Sequence, residues 1–321
     1  MNVRQWRYVL PACAVIAIGI LSIGGSPVQA GSDHATHRAE QAQQEVTDWQ
    51  AVAQALGKPG TMMPGDVFRV GMPRSDLNVT VEGVPVKPGF ALGSYAAFKQ
   101  EGDDDEDVMV MGDLVLLDEE VPAVMSGLMQ SGITVTAVHN HLNQISPHVM
   151  YMHYSGMGYG VDLATKLHQA LSASGTPLDG SPAAAPPDSI DLDTGQIDGI
   201  LGRSGRIQGG GIYQVNVPRA EKITEMGIDL LPAMGVVTVL NFQPTVGGKA
   251  AITGDFAVLG SEVNSVAGAL RQSGIEVTAV HNHTLDDEPR LFYMHFWAND
   301  DALKLAHGLR AALDQTNSKP A

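Results

Sequence analysis

The residues of this chain whose type and spacing could do chemistry are histidines. His139 and His141 end an apolar run, His153 follows, and all three return 142 positions later as His281, His283 and His295. Neutral imidazole is the commonest nitrogen ligand for zinc and also suits copper, nickel and iron. Alternate residues of an extended strand share a face, so His139 and His141 continue the row Ile133, Val135, Ala137, while Thr134, Thr136, Val138 and Asn140 face the other way. The second copy repeats this with Ile275, Val277, Ala279, His281 and His283. A following strand that returns antiparallel, after a loop holding Pro147 or Pro289, would set the third histidine across from one of the first two and on the same face. Each copy is therefore expected to carry a three-histidine site with one open coordination position, for zinc or another divalent transition metal. The carboxylates expected around it are Asp113 and Glu120 in the first copy and Asp255 and Glu262 in the second. The bland alternative is a buried histidine that hydrogen-bonds a carboxylate or a carbonyl, which is the commoner arrangement for one histidine taken alone.

Other candidates lie nearby. Ser146 and His148 of the first copy stand where the second has Glu288 and Arg290, a pair able to act as a base and an anion holder or simply to close a hairpin tip as a salt bridge. Met150, Met152 and Met157 offer thioethers that suit cuprous ion, but alternation turns Met152 away from His153 and makes it core filling. Arg74 and Arg219, each after a proline at a strand end, fit an anion site or a surface turn equally. His34 and His37 fall in a polar lead-in. The acidic run at residues 101–107 lacks the ligand spacing of a calcium loop and has no counterpart in the second copy, so a solvated hairpin tip is expected.

The elements that must position these side chains are themselves duplicated. Residues 132–141 and 274–283 differ only at Thr134 against Glu276, and Tyr-Met-His follows at the same interval in both, so one supersecondary unit is used twice. Strands are expected at 66–71 and 212–217, 77–81, 92–98 and 236–242, and 108–117 and 250–259, the last pair carrying Gly112-Asp113 and Gly254-Asp255. Glycine inside a strand points to a bulge or a close backbone approach. Helices are expected at 49–56 and 196–201, at 119–130 and 261–272, and after the last strand of each half, where Leu163, Leu167 and Leu171 match Leu305, Leu309 and Leu313. The fold class expected is α+β: two tandem homologous repeats, each an antiparallel sheet with helices on one face, ordered strand-strand-helix-strand-strand-helix and related by a pseudo-two-fold. The division is a signal peptide at 1–30, a polar lead-in at 31–48, repeat 1 at 49–174, a Pro/Ala/Gly-rich linker at 175–195, repeat 2 at 196–316 and a tail at 317–321.

Composition narrows the function. With 19 basic against 35 acidic residues among 321, the chain lacks the basic surface that a phosphate backbone requires, and no nucleic-acid partner is expected. Arg4 and Arg7, the short apolar run over residues 9–23 and Val28-Gln29-Ala30 have the form of a secretory signal cleaved after Ala30, which leaves no membrane span. The protein is expected to be exported, periplasmic or extracellular. The single cysteine, Cys13, lies inside that segment, so neither disulfide nor thiolate chemistry is expected after cleavage.

The Gly-Asp strands, the Glu-Val helix starts, Thr-Ala-Val-His-Asn-His and Tyr-Met-His-Phe-Trp together resemble the LppY/LpqO family of bacterial exported proteins, built on a domain of unknown function. The resemblance implies location and fold but no reaction, and the lipidated cysteine of members named as lipoproteins is absent. Function therefore rests on the histidines. They are expected to bind a transition metal or a small ligand, with metal-dependent hydrolase or lyase activity as the chemistry such a site offers. The alternative is a structural or envelope-interaction protein whose histidines are core hydrogen-bonders.

Overall fold

The computed structural model describes residues 47–102, 107–180 and 185–319. The expected signal peptide, His34, His37, nearly all of the lead-in and the middle of the acidic run lie outside the described residues.

The first repeat runs α1 (Trp49–Leu56), β1 (Thr61–Met63), β2 (Val67–Pro73), β3 (Val79–Val81), β4 (Val84–Val86), α2 (Pro88–Ala91), β5 (Gly93–Gln100), β6 (Val108–Leu117), α3 (Val121–Gln130), β7 (Thr134–His139), β8 (Ile145–Ser146), β9 (Val149–Gly158) and α4 (Gly160–Leu171). The second follows the same plan: α5 (Thr194–Leu201), β10 (Arg206–Gln208), β11 (Ile212–Val217), β12 (Ile223–Glu225), β13 (Ile228–Leu230), a 3-10 turn (Pro232–Met234), β14 (Thr238–Pro244), β15 (Lys249–Leu259), α6 (Val263–Gln272), β16 (Glu276–His281), β17 (Asp287–Glu288), β18 (Leu291–Asp301) and α7 (Ala302–Leu313). Local chemistry sets the helix ends. Asp48 accepts from the amides of Gln50 and Ala51 to start α1, Asp193 accepts from Gln196 to start α5, and the left-handed Gly57 and Gly202 stop them.

Each repeat forms a six-stranded antiparallel sheet, in the orders β1-β2-β5-β6-β9-β7 and β10-β11-β14-β15-β18-β16, and a small three-stranded sheet, β4-β3-β8 or β13-β12-β17. Alternation along the central strands sorts their side chains into two kinds of core. Met152 and Tyr154 of β9, with Leu114 and Leu116 of β6, pack under Leu163, Leu167 and Leu171 of α4 in a core made of the first repeat alone. Met294, Phe296, Phe256 and Val258 do the same under Leu305, Leu309 and Leu313 in the second. The other face of each sheet contributes to two cores shared by both repeats: Val115, Tyr151 and Phe90 meet Ile212, Ala251 and Trp297, while Met109, Met111 and Tyr95 meet Met234, Ala257 and Tyr293. The layers are therefore helix, sheet, sheet, helix, and the two sheets bury their inner faces against each other. The linker packs at both ends, with Leu178 on the first repeat's core and Ile190 and Leu192 on the second's.

One expected row of side chains is broken. The pairing of β7 with β9 runs Val135 to Tyr154 and then Ala137 to His153, so Thr136 is an extra residue. The bulge leaves Ile133 and Val135 on the helix side and turns Ala137 and His139 to the inner face; β16 shows the same shift between Val277 and Ala279. The histidines thus do not continue the apolar row, as alternation along an unbroken strand required. Nor does His153 lie directly across from His139 or His141. Its partner is Ala137, one inward-facing position away from His139.

Candidate metal centre

The inner faces bring all six histidines into one place. His139 stacks on His281 with ring centroids 3.5 Å apart and His141 on His295 at 3.5 Å, while His153 packs at a tilt against His283 at 3.9 Å. Each of these contacts crosses between repeats. The first joins equivalent residues and the other two are exchanged by the repeat, so the pseudo-dyad passes between His139 and His281. Reciprocal hydrogen bonds confirm the relation: Thr136 Oγ1 donates to the carbonyl of His283 at 2.6 Å, and Thr278 Oγ1 donates to that of His141. The bulge residue of each strand therefore holds the partner repeat's histidine loop.

Two separate three-histidine sites, one per repeat, are not what forms. Ligand atoms of His139, His141, His281 and His295 lie within 4.8 Å of one another, those of His153, His281 and His283 form a second such group, and those of Asp113, His141 and His153 a third. The first two groups draw on both repeats, and the third lies within the first. Tyr151 and Tyr293 close the ends by stacking at 3.3 Å on His141 and His283. They were readable in principle, since a tyrosine two residues before a strand histidine shares its face.

The rings are oriented for ligation. His153 Nδ1 lies 3.2 Å from the Gly112 carbonyl and His295 Nδ1 lies 2.9 Å from the Gly254 carbonyl. A proton held on Nδ1 by a carbonyl leaves the Nε2 lone pair facing inward, the usual outer arrangement of a metal-bound histidine. The glycines serve this by lacking a side chain. A Cβ at Gly112 would run into the Tyr95 carbonyl oxygen and one at Gly254 into that of Val239, so the close approach expected for these positions is present.

In all six histidines Nε2 is buried and has no hydrogen-bond partner among the described residues. Burial, with the neighbouring histidines adding to it, holds His139, His141 and His283 far below the ordinary imidazole range. Burial brings His153 down to about 4 and His281 to about 2. These rings are neutral at physiological pH, which is the ligating form.

The two inner carboxylates differ. Asp113 pairs in register with His153, and burial, followed by the charge of Asp255, pushes it well above the usual carboxylate range. Burial acts upward on Asp255 too, but the imidazoles around it, His295 first and then His281 and His153, outweigh it and hold it low. Asp255 Oδ1 comes within 2.8 Å of His295 Nε2 without hydrogen-bond alignment, against 3.7 Å from Asp113 Oδ2 to His141 Nε2.

Glu120 and Glu262 do not belong to the centre. Glu120 accepts from Arg74 at 2.6 and 3.1 Å and from the amides of Leu117 and Gly175, and Arg219 engages Glu262 in the same way. Arg74 and Arg219 are buried, each with a second carboxylate (Asp76 or Glu221) and a strand carbonyl, so neither forms the anion site or the surface turn that the sequence suggested. Glu288 and Arg290 also lie outside the ligand groups. Glu288 is exposed on β17, and Arg290 bonds the loop carbonyls of Thr284 and Leu285 and pairs with Asp287 at 3.4 Å.

The profile of the Domain of Unknown Function (DUF1259) matches residues 50–173 and again 195–315. The chain belongs to that family. Each DUF1259 copy spans one layered half, and the centre lies where the two copies meet. No curated protein matches the chain. Among solved structures, a trimeric bacterial microcompartment shell protein PduB is similar at 13% identity over 80% of this chain and 93% of that one, with a TM-score of 0.20 that carries no argument. No helix among the described residues is long and apolar enough to cross a membrane.

Proposed function

We propose that this protein binds a divalent transition metal at the six-histidine centre and that both repeats are needed to build it. The observation that carries this is the set of six buried Nε2 atoms with no hydrogen-bond partner among the described residues. An unsatisfied buried polar atom costs about 1 to 3 kcal/mol, so the five other than that of His295, whose Nε2 lies 2.8 Å from Asp255 Oδ1, would cost on the order of 10 kcal/mol, comparable to the whole stability of a domain. Histidines acting as core hydrogen-bonders account for Nδ1 of His153 and His295 but not for these atoms. Imidazole nitrogens together with buried carboxylates suit zinc, copper or nickel. A bound ion of this kind supplies Lewis acidity and a position for water, which makes hydrolysis or a lyase reaction the chemistry the centre favours. The resemblance to the LppY/LpqO family and the form of the N-terminal segment support an exported location, where the centre would meet periplasmic or extracellular metal.

The test is uptake by chelator-treated full-length protein purified without a His-tag. Zinc, copper or nickel should raise the melting temperature, corresponding to about 2.7 kcal/mol at one hundred times the dissociation constant. The double variant His139→Ala, His281→Ala should lose the shift while keeping its far-UV circular dichroism. Absence of uptake by the unmodified protein would overturn the proposal.

A further inference from the structure

With His281 counted once, the six histidines divide into two sets of three that the pseudo-dyad exchanges. His139 and His141 of the first repeat stand with His295 of the second; His281 and His283 of the second stand with His153 of the first. His281 lies in both of the all-histidine ligand groups, which places the sets edge to edge. Only one of its nitrogens is open, because Nδ1 sits 3.0 Å from the Asn282 carbonyl. Assigning His281 to the second set leaves three histidines for each, the donor number of a catalytic zinc site. Asp113 joins the two. Its ligand atom lies within 4.8 Å of that of His141, in the first set, and of His153, in the second, and its buried Oδ1 has no hydrogen-bond partner among the described residues.

Resting on the metal reading above, we propose that the centre holds a pair of divalent transition ions, one on each cross-repeat set, with the Asp113 carboxylate between them. Charge favours the arrangement: six neutral imidazoles cannot offset two dications, whereas a carboxylate that touches both lowers their mutual repulsion. Asp255, beside His295 of the first set and within electrostatic reach of His281 and His153 of the second, supplies a further negative charge on the other side of the dyad.

The experiment is a stoichiometric titration of the metal-free full chain with cobalt(II), followed by absorption, and with zinc, followed by elemental analysis after gel filtration. About two ions per chain are expected, each with three nitrogen ligands. His141→Gln with His295→Gln should leave one ion, and so should His153→Gln with His283→Gln. Copper(II) loaded at two per chain should give a paramagnetic resonance signal weakened by coupling, and Asp113→Asn should restore the intensity of two separate ions. One ion per unmodified chain, abolished by either double variant, would overturn the pair and leave the single-ion reading standing. No uptake at all would overturn both.

Discussion

Removing the Arg74 guanidinium would leave Glu120 and Asp76 facing each other in a place where Arg74 itself is 1% exposed. Breaking a buried pair by deleting one partner costs about 3 to 5 kcal/mol because the remaining charge is uncompensated. Arg74→Ala should therefore lower the unfolding free energy by that amount in chemical denaturation, and Arg219→Ala should do the same. Glu288→Gln, on an exposed strand end, should stay within about 0.5 kcal/mol of the parent. A wild-type midpoint for Arg74→Ala would show that the ion pair is not the anchor described here. At this scale the sequence was readable where residue type alone restricts the outcome. The six histidines and Asp113 and Asp255 were identified from repetition, and the structure brings them together. Glu120 and Glu262 repeat just as faithfully, but their partners Arg74 and Arg219 lie 46 and 43 positions away in sequence, and repetition cannot say which of two buried needs a carboxylate meets.

Close approach of β5 to β6, and of β14 to β15, sets the depth of each carbonyl that orients a histidine. Gly112 and Gly254 occupy that approach. Gly254→Ala should push β14 and β15 apart, cost about 1 to 3 kcal/mol as overpacking, and weaken metal uptake by tilting His295; calorimetry and a zinc titration would check the two effects together. An alanine variant with unchanged stability and affinity would remove the glycine from the account. Most strands and helices lay within a few residues of where periodicity put them, because each core face repeats at the period of its element. The bulge at Thr136 was not legible. Threonine and valine suit a regular strand as well as a bulged one, and the hydrogen bond from Thr136 to His283 that holds the extra residue comes from the other repeat. For the same reason the cross-repeat grouping of the histidines could not be read from one copy at a time.

Burial of neutral histidines makes the metal-free molecule sensitive to acid. His153 and His281 titrate near 4 and 2 in the fold against 6.5 when unfolded, so between those values the unfolded chain binds more protons. The sign follows: stability is complete above about pH 6.5 and falls as pH drops, by up to roughly 1.4 kcal/mol per pH unit for each such histidine. Urea midpoints of the chelator-treated protein should be nearly level from pH 7.5 to about 6.5 and decline from there to pH 4.5, and a profile flat throughout would contradict the burial of these rings. The pseudo-dyad through His139 and His281 has a further consequence once the linker is considered. Were the halves separate chains, the centre would form only when two of them met, and its yield would vary with the amount of protein present. Joining them in one chain between Leu178 and Ile190 converts that encounter into an intramolecular one, whose effective concentration is set by the length of the connection and not by the amount of protein. Dilution therefore cannot take the histidine cluster apart, and a protein of this design keeps its centre assembled even where it is scarce.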